Sequence, residues 1–174
     1  MIDHIIFDVD GTLTDGGIII SSNGVESKQF QAKDGLLVRQ MPNLGFKTMI
    51  ITGRDSELTV IRAKDLRISE IFQGVTDKVP VLQEYLEKHG VSGQRFAYIG
   101  DDLNDYAVMQ LCGFKACPAD ATREIRELCD YVSPVKAGKG AVRDICEFLL
   151  RRQGKYEEML ALFGIKSDLG RSRA

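Results

Sequence analysis

The stretch His4-Ile5-Ile6-Phe7-Asp8-Val9-Asp10-Gly11-Thr12-Leu13-Thr14-Asp15 runs an apolar segment directly into two carboxylates separated by a single valine. A short apolar run closed by a glycine turn reads as a buried strand. At strand period Asp8 and Asp10 share a face, and Gly11 permits the tight turn that aims both at a ligand. Burying unpaired carboxylates is costly, so this strand end calls for a cation.

Outward from it the same alternation repeats. Further strands are expected near residues 46–52, 95–100 and 113–117, with shorter ones at 71–73 and 131–133, beside the first at 4–8. Amphipathic stretches at 35–43, 56–66, 77–89, 103–111, 122–128, 141–152 and 153–163 supply helices between and after them. That order predicts an α/β fold, a central parallel sheet flanked by helices, whose ligand crevice lies at the carboxyl ends of the strands. Residues 16–33 break the pattern. Asn23-Gly24 between two extended runs reads as a β-hairpin with a type I′ turn, placed directly after the first strand. Its Ile18-Ile19-Ile20 run is more apolar surface than a small hairpin needs, so the body or another subunit must cover it.

The chain has 174 residues, the length of one domain (1–174), with 44% hydrophobic and 28% charged residues. Lys+Arg at 23 against Asp+Glu at 25 leaves −2, so no basic field draws in nucleic acid. No apolar run approaches a membrane span, and Cys112, Cys117, Cys129 and Cys146 form no C-x-x-C pair. A cytoplasmic protein with reduced thiols, without membrane or nucleic-acid partners, is expected.

Three later elements repeat the motif of polar groups at a strand end. In Ile51-Thr52-Gly53-Arg54 a hydroxyl and a backbone amide can both donate to a phosphate oxygen, although a Thr-Gly pair could equally just start a helix. Lys78, beginning a helix, opposes the helix dipole and so invites an anion, or is simply solvated. In Gly100-Asp101-Asp102-Leu103-Asn104-Asp105 one acid can cap a helix, but three with an asparagine exceed that need. Oxygen donors without Cys or His point to magnesium rather than zinc.

Together, in this order, the elements resemble the haloacid dehalogenase-like (HAD) phosphatases, which implies a Rossmann-like fold, Mg2+ and an aspartyl-phosphate intermediate. Carried over, Asp8 is the nucleophile and Asp10 the general acid and base. Asp8, Asp10 (through its backbone carbonyl) and Asp101 hold the metal. Thr52 and Gly53 bind the phosphoryl group, Lys78 stabilises its charge and is itself held by Asp102, and Asp105 stands behind them. Charge balance agrees: Asp8, Asp10, Asp101 and Asp102 facing a phosphate ester of about −2 need a divalent cation, Lys78 and a proton on Asp10.

The spans between motifs leave no room for a cap domain. Lys33-Asp34-Gly35, Gly74 with Asp77-Lys78, and Gly138-Lys139-Gly140-Ala141-Val142-Arg143 extend the resemblance to the 3-deoxy-D-manno-octulosonate 8-phosphate (Kdo 8-phosphate) phosphatases and related nonulosonate 9-phosphate phosphatases. This implies a homotetramer in which hairpins associate and a neighbour covers each site. The implied substrate is a small phosphorylated sugar acid, Kdo 8-phosphate ahead of a nine-carbon ester. The sugar carboxylate needs a cation: Arg54 is the first candidate, with Lys139 or a neighbour's Arg171 or Arg173 in the tail as substitutes. A competing class is a catalytically silent assembly domain, which would be free to lose Asp8 or Asp10.

Overall fold

Strand β1 (His4–Phe7) is buried along its whole length, as a strand covered on both faces of a parallel sheet must be. In the computed structural model, which describes residues 1–166, it lies at the centre of the main sheet. With β4 (Lys47–Ile51), β5 (Glu70–Phe72), β6 (Phe96–Ile99), β7 (Phe114–Cys117) and β8 (Tyr131–Val132) it forms six parallel strands in the order β5-β4-β1-β6-β7-β8. The chain leaves β1 for β4 on one side and later fills β6 on the other, so the strand order reverses beside β1 and opens a crevice there. Phe7 pairs with Ile50 and Ile99, which brings the residues following all three strands to one edge.

Side-chain alternation divides the core. Ile5 and Phe7 face α1 (Ala32–Val38) and α6 (Ala141–Arg152), with Ala63 of α2 (Glu57–Asp65) on the same side. Ile6 faces the layer of α3 (Lys78–His89), α4 (Leu103–Met109) and α5 (Arg123–Leu128). Among the described residues, nothing but α2 and β5 stands between Thr52 and Lys78, so the expected lack of a cap holds there.

Three boundaries differ from the sequence reading. Helix α1 begins at Ala32, where the Gln31 side chain accepts from Lys33 N–H, and ends at Val38. Pro42 then starts a separate 3-10 turn, Met41–Leu44, instead of extending the helix to residue 43. The last amphipathic segment is a distinct helix, α7 (Tyr156–Leu162), because Gly154 turns the chain at a φ of 71°. In the hairpin of β2 (Ile19–Ile20) and β3 (Glu26–Ser27), only Gly24 takes a positive φ, 82°. The turn is therefore not type I′. Gly24 N–H donates to Ser21 O and Ser21 N–H to Val25 O, a three-residue loop closed by a left-handed glycine.

The base of this hairpin is clamped. Asp34 accepts from the backbone N–H of Arg143 at 2.8 Å and so caps α6, whose own N-cap, Gly140, offers no side chain. A Cβ on Gly138 would meet Asp15 N at 2.6 Å, so only glycine allows that loop to close on the segment that leads into the hairpin. The hairpin's first strand is bare: Ile18, Ile19 and Ile20 are 55, 55 and 62% exposed, leaving the expected cover unsupplied by the body. The tail residues Arg171 and Arg173 lie outside the described residues.

Candidate active site

Beyond β1 the chain turns through Val9–Leu13, closed by Thr14 N–H donating to Val9 O at 3.0 Å. Gly11 has a φ of 86°, and a Cβ there would lie 2.0 Å from Asp101 Oδ2. Glycine thus lets the turn after β1 lie directly against the residue after β6. Thr12 Oγ1 donates to Asp101 Oδ1 at 2.9 Å and fixes the pair. Asp8, Asp10, Thr52, Gly53, Arg54, Asp101, Asp102 and Asn104 line one cleft of about 200 Å³ at this edge. A larger groove of about 520 Å³ between α4 and α5, lined by Leu103, Tyr106, Leu128, Glu124 and Glu127, collects no comparable set of polar groups.

Beneath the cleft, Lys78 is fully buried. Its Nζ donates to Asp105 Oδ1 at 2.6 Å and stands 3.1 Å from Asp8 Oδ1. Burial alone would lower the lysine's pKa, but Asp8 and Asp105 outweigh it and hold the ammonium above its ordinary value. Here the structure corrects the sequence reading: Asp105, not Asp102, holds Lys78. Asp102 is exposed and caps α4, accepting from Leu103 N–H at 2.7 Å, while the Asp105 side chain returns to the cap backbone. Asp105 has no free valence left, since Oδ1 also accepts from the buried Tyr98 hydroxyl at 2.7 Å and Oδ2 from Asp101 N–H at 3.1 Å. A Cβ on Gly100 would meet Asp105 Oδ2 at 2.4 Å, which is why glycine precedes the acidic pair.

The oxygen donors fit a hard divalent cation. Carboxylate oxygens of Asp8, Asp101 and Asp105 lie within 4.8 Å of one another. With Asp105 committed to Lys78 and Tyr98, Asp8 and Asp101 are the two free to bind metal. Asp8 Oδ1 has only the Lys78 ammonium beside it, in an ion pair without good hydrogen-bond alignment, and Asp10 Oδ2 has no cation nearer than Arg54 Nε at 3.7 Å, so both oxygens keep room for a further cation or ligand. Burial, followed by the neighbouring Asp105, pushes Asp8 up to about 6. Burial, then Asp8, pushes Asp101 up to about 7.

The phosphate-loop candidates sit opposite. Thr52 is buried, its backbone bonded to Phe72 and Val75, and Gly53 and Arg54 follow in the exposed loop before α2. Arg54 already has partners: Nη2 donates to Glu26 Oε1 at 2.9 Å, and Nε lies 3.7 Å from Asp10 Oδ2. Lys139 remains peripheral, 4.0 Å from Asp15. The sequence reading missed Lys28, whose side chain is 3% exposed and whose Nζ donates to Asp10 Oδ1. It also missed Glu26. A signal was present: in the hairpin Glu26, Lys28 and Phe30 share one face, and that face turns inward while Val25, Ser27 and Gln29 stay exposed.

Comparison with known proteins matches residues 56–145 to the haloacid dehalogenase-like hydrolases. The chain is 39% identical over 154 residues to the 3-deoxy-D-manno-octulosonate 8-phosphate phosphatase KdsC of Escherichia coli K12, covering 88% of this chain and 82% of that protein. The crystal structure of the 3-deoxy-D-manno-octulosonate 8-phosphate phosphatase from Moraxella catarrhalis, in complex with magnesium, phosphate and KDO, is 39% identical. It superposes with a TM-score of 0.89 over 93% of both chains. The cobalt-bound phosphatase of Haemophilus influenzae gives 34% identity and a TM-score of 0.84, over 90% of this chain and 91% of that one.

Proposed function

This chain belongs to the haloacid dehalogenase-like hydrolases, and within them we propose that it is a magnesium-dependent phosphatase. Its substrate is the terminal phosphate ester of a 2-keto-3-deoxy sugar acid, Kdo 8-phosphate first. The observation that supports this most is the convergence of Asp8 and Asp101 in one cleft, with buried Lys78 beneath it against Asp8, in a chain 39% identical to KdsC along most of its length. All positions are chemically competent, which argues against a silent assembly domain.

In this reading Asp8 and Asp101 hold magnesium together with the Asp10 backbone carbonyl. The bound ion would neutralise phosphate charge and keep both carboxylates ionised. Asp8 attacks phosphorus and forms an aspartyl phosphate, while Asp10 gives a proton to the leaving sugar alcohol and then takes one from the attacking water. Lys78, tied to Asp105 and Tyr98, places a fixed positive charge against the transferring group without reorganising. Thr52 and the Gly53 amide hold the phosphoryl oxygens. Arg54 faces the remote end of the substrate, where a guanidinium grips a carboxylate bidentately.

We also propose a homotetramer, which would cover the bare Ile18–Ile20 strand, and a cytoplasmic location, which suits the free thiols. No helix of the described residues is long and apolar enough to cross a membrane. Phosphate release supplies the test: with magnesium the protein should hydrolyse Kdo 8-phosphate, stop in EDTA and recover when magnesium returns. Turnover that ignores EDTA, or that is absent on every phosphorylated sugar acid, would overturn the reading.

A further inference from the structure

We propose that Glu26, on the hairpin, determines specificity by competing with the substrate: its carboxylate occupies Arg54 in the free enzyme and is displaced by the carboxylate of the sugar acid. This rests on the reading of Arg54 given above.

Glu26 Oε1 accepts from Arg54 Nη2 at 2.9 Å, and Oε2 accepts from Ser56 Oγ at 3.2 Å. The contact is part of a closed ring. Arg54 Nε stands 3.7 Å from Asp10 Oδ2, Lys28 Nζ donates to the other Asp10 oxygen, and the same Nζ is 3.7 Å from Glu26 Oε1. Basic and carboxylate side chains alternate around the ring, which ties the hairpin to both the β1 turn and the phosphate loop.

Exposure separates the exchangeable part from the fixed part. Lys28 has a side chain only 3% exposed, whereas those of Arg54 and Glu26 are 43% and 23% exposed. Pairs that open to water are individually weak, so Arg54 can trade one carboxylate for another. Glu26 is a charged competitor at neutral pH, because its hydrogen bond from Arg54 holds its carboxyl below the usual range. Once displaced it keeps Ser56 and Lys28 as partners. A ligand bearing a carboxylate thus replaces an anion with an anion. A ligand without one must leave Glu26 in place, and gains nothing from Arg54.

The test uses Glu26→Gln, which keeps the shape and removes the charge. Calorimetry with magnesium present measures Kd for two probes, Kdo and inorganic phosphate. The ratio of the two should shift about two- to fivefold in favour of Kdo, the worth of an exposed ion pair. In an Arg54→Ala background Glu26→Gln should leave the ratio unchanged. A ratio unmoved in the single variant, moved toward phosphate, or still shifted without Arg54 would overturn the competition. Arg54→Ala alone distinguishes the two levels: if it does not weaken Kdo relative to phosphate, it is the carboxylate reading of Arg54 that fails. Should Glu26→Gln fail to fold, Glu26→Asp withdraws the same charge by one methylene and should move the ratio in the same direction.

Discussion

Asp8 and Asp105 share one lysine and are both buried, but only Asp8 lines the cleft, and that difference assigns their work. Asp105 is fully buried with both oxygens used, so it is a support whose loss leaves Lys78 and the Tyr98 hydroxyl short of a partner. Asp105→Ala should therefore lower unfolding free energy by roughly 3–5 kcal/mol, read from urea denaturation. A loss within error would show that the network is not structural. Asp8→Asn should abolish turnover while retaining the fold, because an amide is a poor nucleophile and a weaker metal ligand. Asp10→Asn should cost about 10²- to 10⁴-fold in kcat. Wild-type rates in Asp8→Asn would remove covalent catalysis from consideration. The acidic residues themselves were legible, since nothing in a parallel core explains carboxylates at strand ends. Which of Asp102 and Asp105 turns inward was not legible, because a capping box uses both and only the helix phase separates them.

At the level of elements, the strands of the sheet were readable to within a residue or two, since each is an apolar run that ends where the crevice begins. The hairpin was readable as a hairpin but not in its turn. Asn23-Gly24 fits a two-residue loop, yet Ser21 pairs with Val25 and leaves only Gly24 left-handed. Its inward face, Glu26 and Lys28, escaped notice because charged residues on a short exposed strand ordinarily face water. Strand β2, where Ile19 pairs with Ser27 and Ile20 with Glu26, is bare on both faces and carries an assembly prediction. Ile20 is 62% exposed with Ile19 and Val25 beside it, so Ile20→Asp should dissociate the protein to smaller species in light scattering. Activity on the sugar acid ester should fall with it. A wild-type monomer at micromolar concentration would contradict the assembly.

For the whole molecule the governing quantity is the negative charge gathered at one end of the sheet. In the metal-free protein Asp8 at about 6 and Asp101 at about 7 stand above the ordinary carboxylate value of 3.8. The folded state therefore holds more protons than the unfolded chain between about pH 4 and 7. These groups stabilise the fold most below the unfolded value, and that contribution is lost as pH rises through the folded values. Magnesium must displace those protons, so its increase in Tm should be larger at pH 8 than at pH 5.5, and binding at pH 6 should release protons into the buffer. An increase independent of pH would place the metal elsewhere. The choice of substrate is the property least visible in the sequence, because it depends on Arg54 and on a hairpin that only the fold brings to it. The most direct measurement is kcat/KM, with magnesium, for Kdo 8-phosphate, a nonulosonate 9-phosphate and p-nitrophenyl phosphate side by side. Kdo 8-phosphate should lead both, and Arg54→Ala should narrow its lead over p-nitrophenyl phosphate; a wild-type enzyme that favours the nine-carbon ester, or that does not distinguish the three, would contradict it.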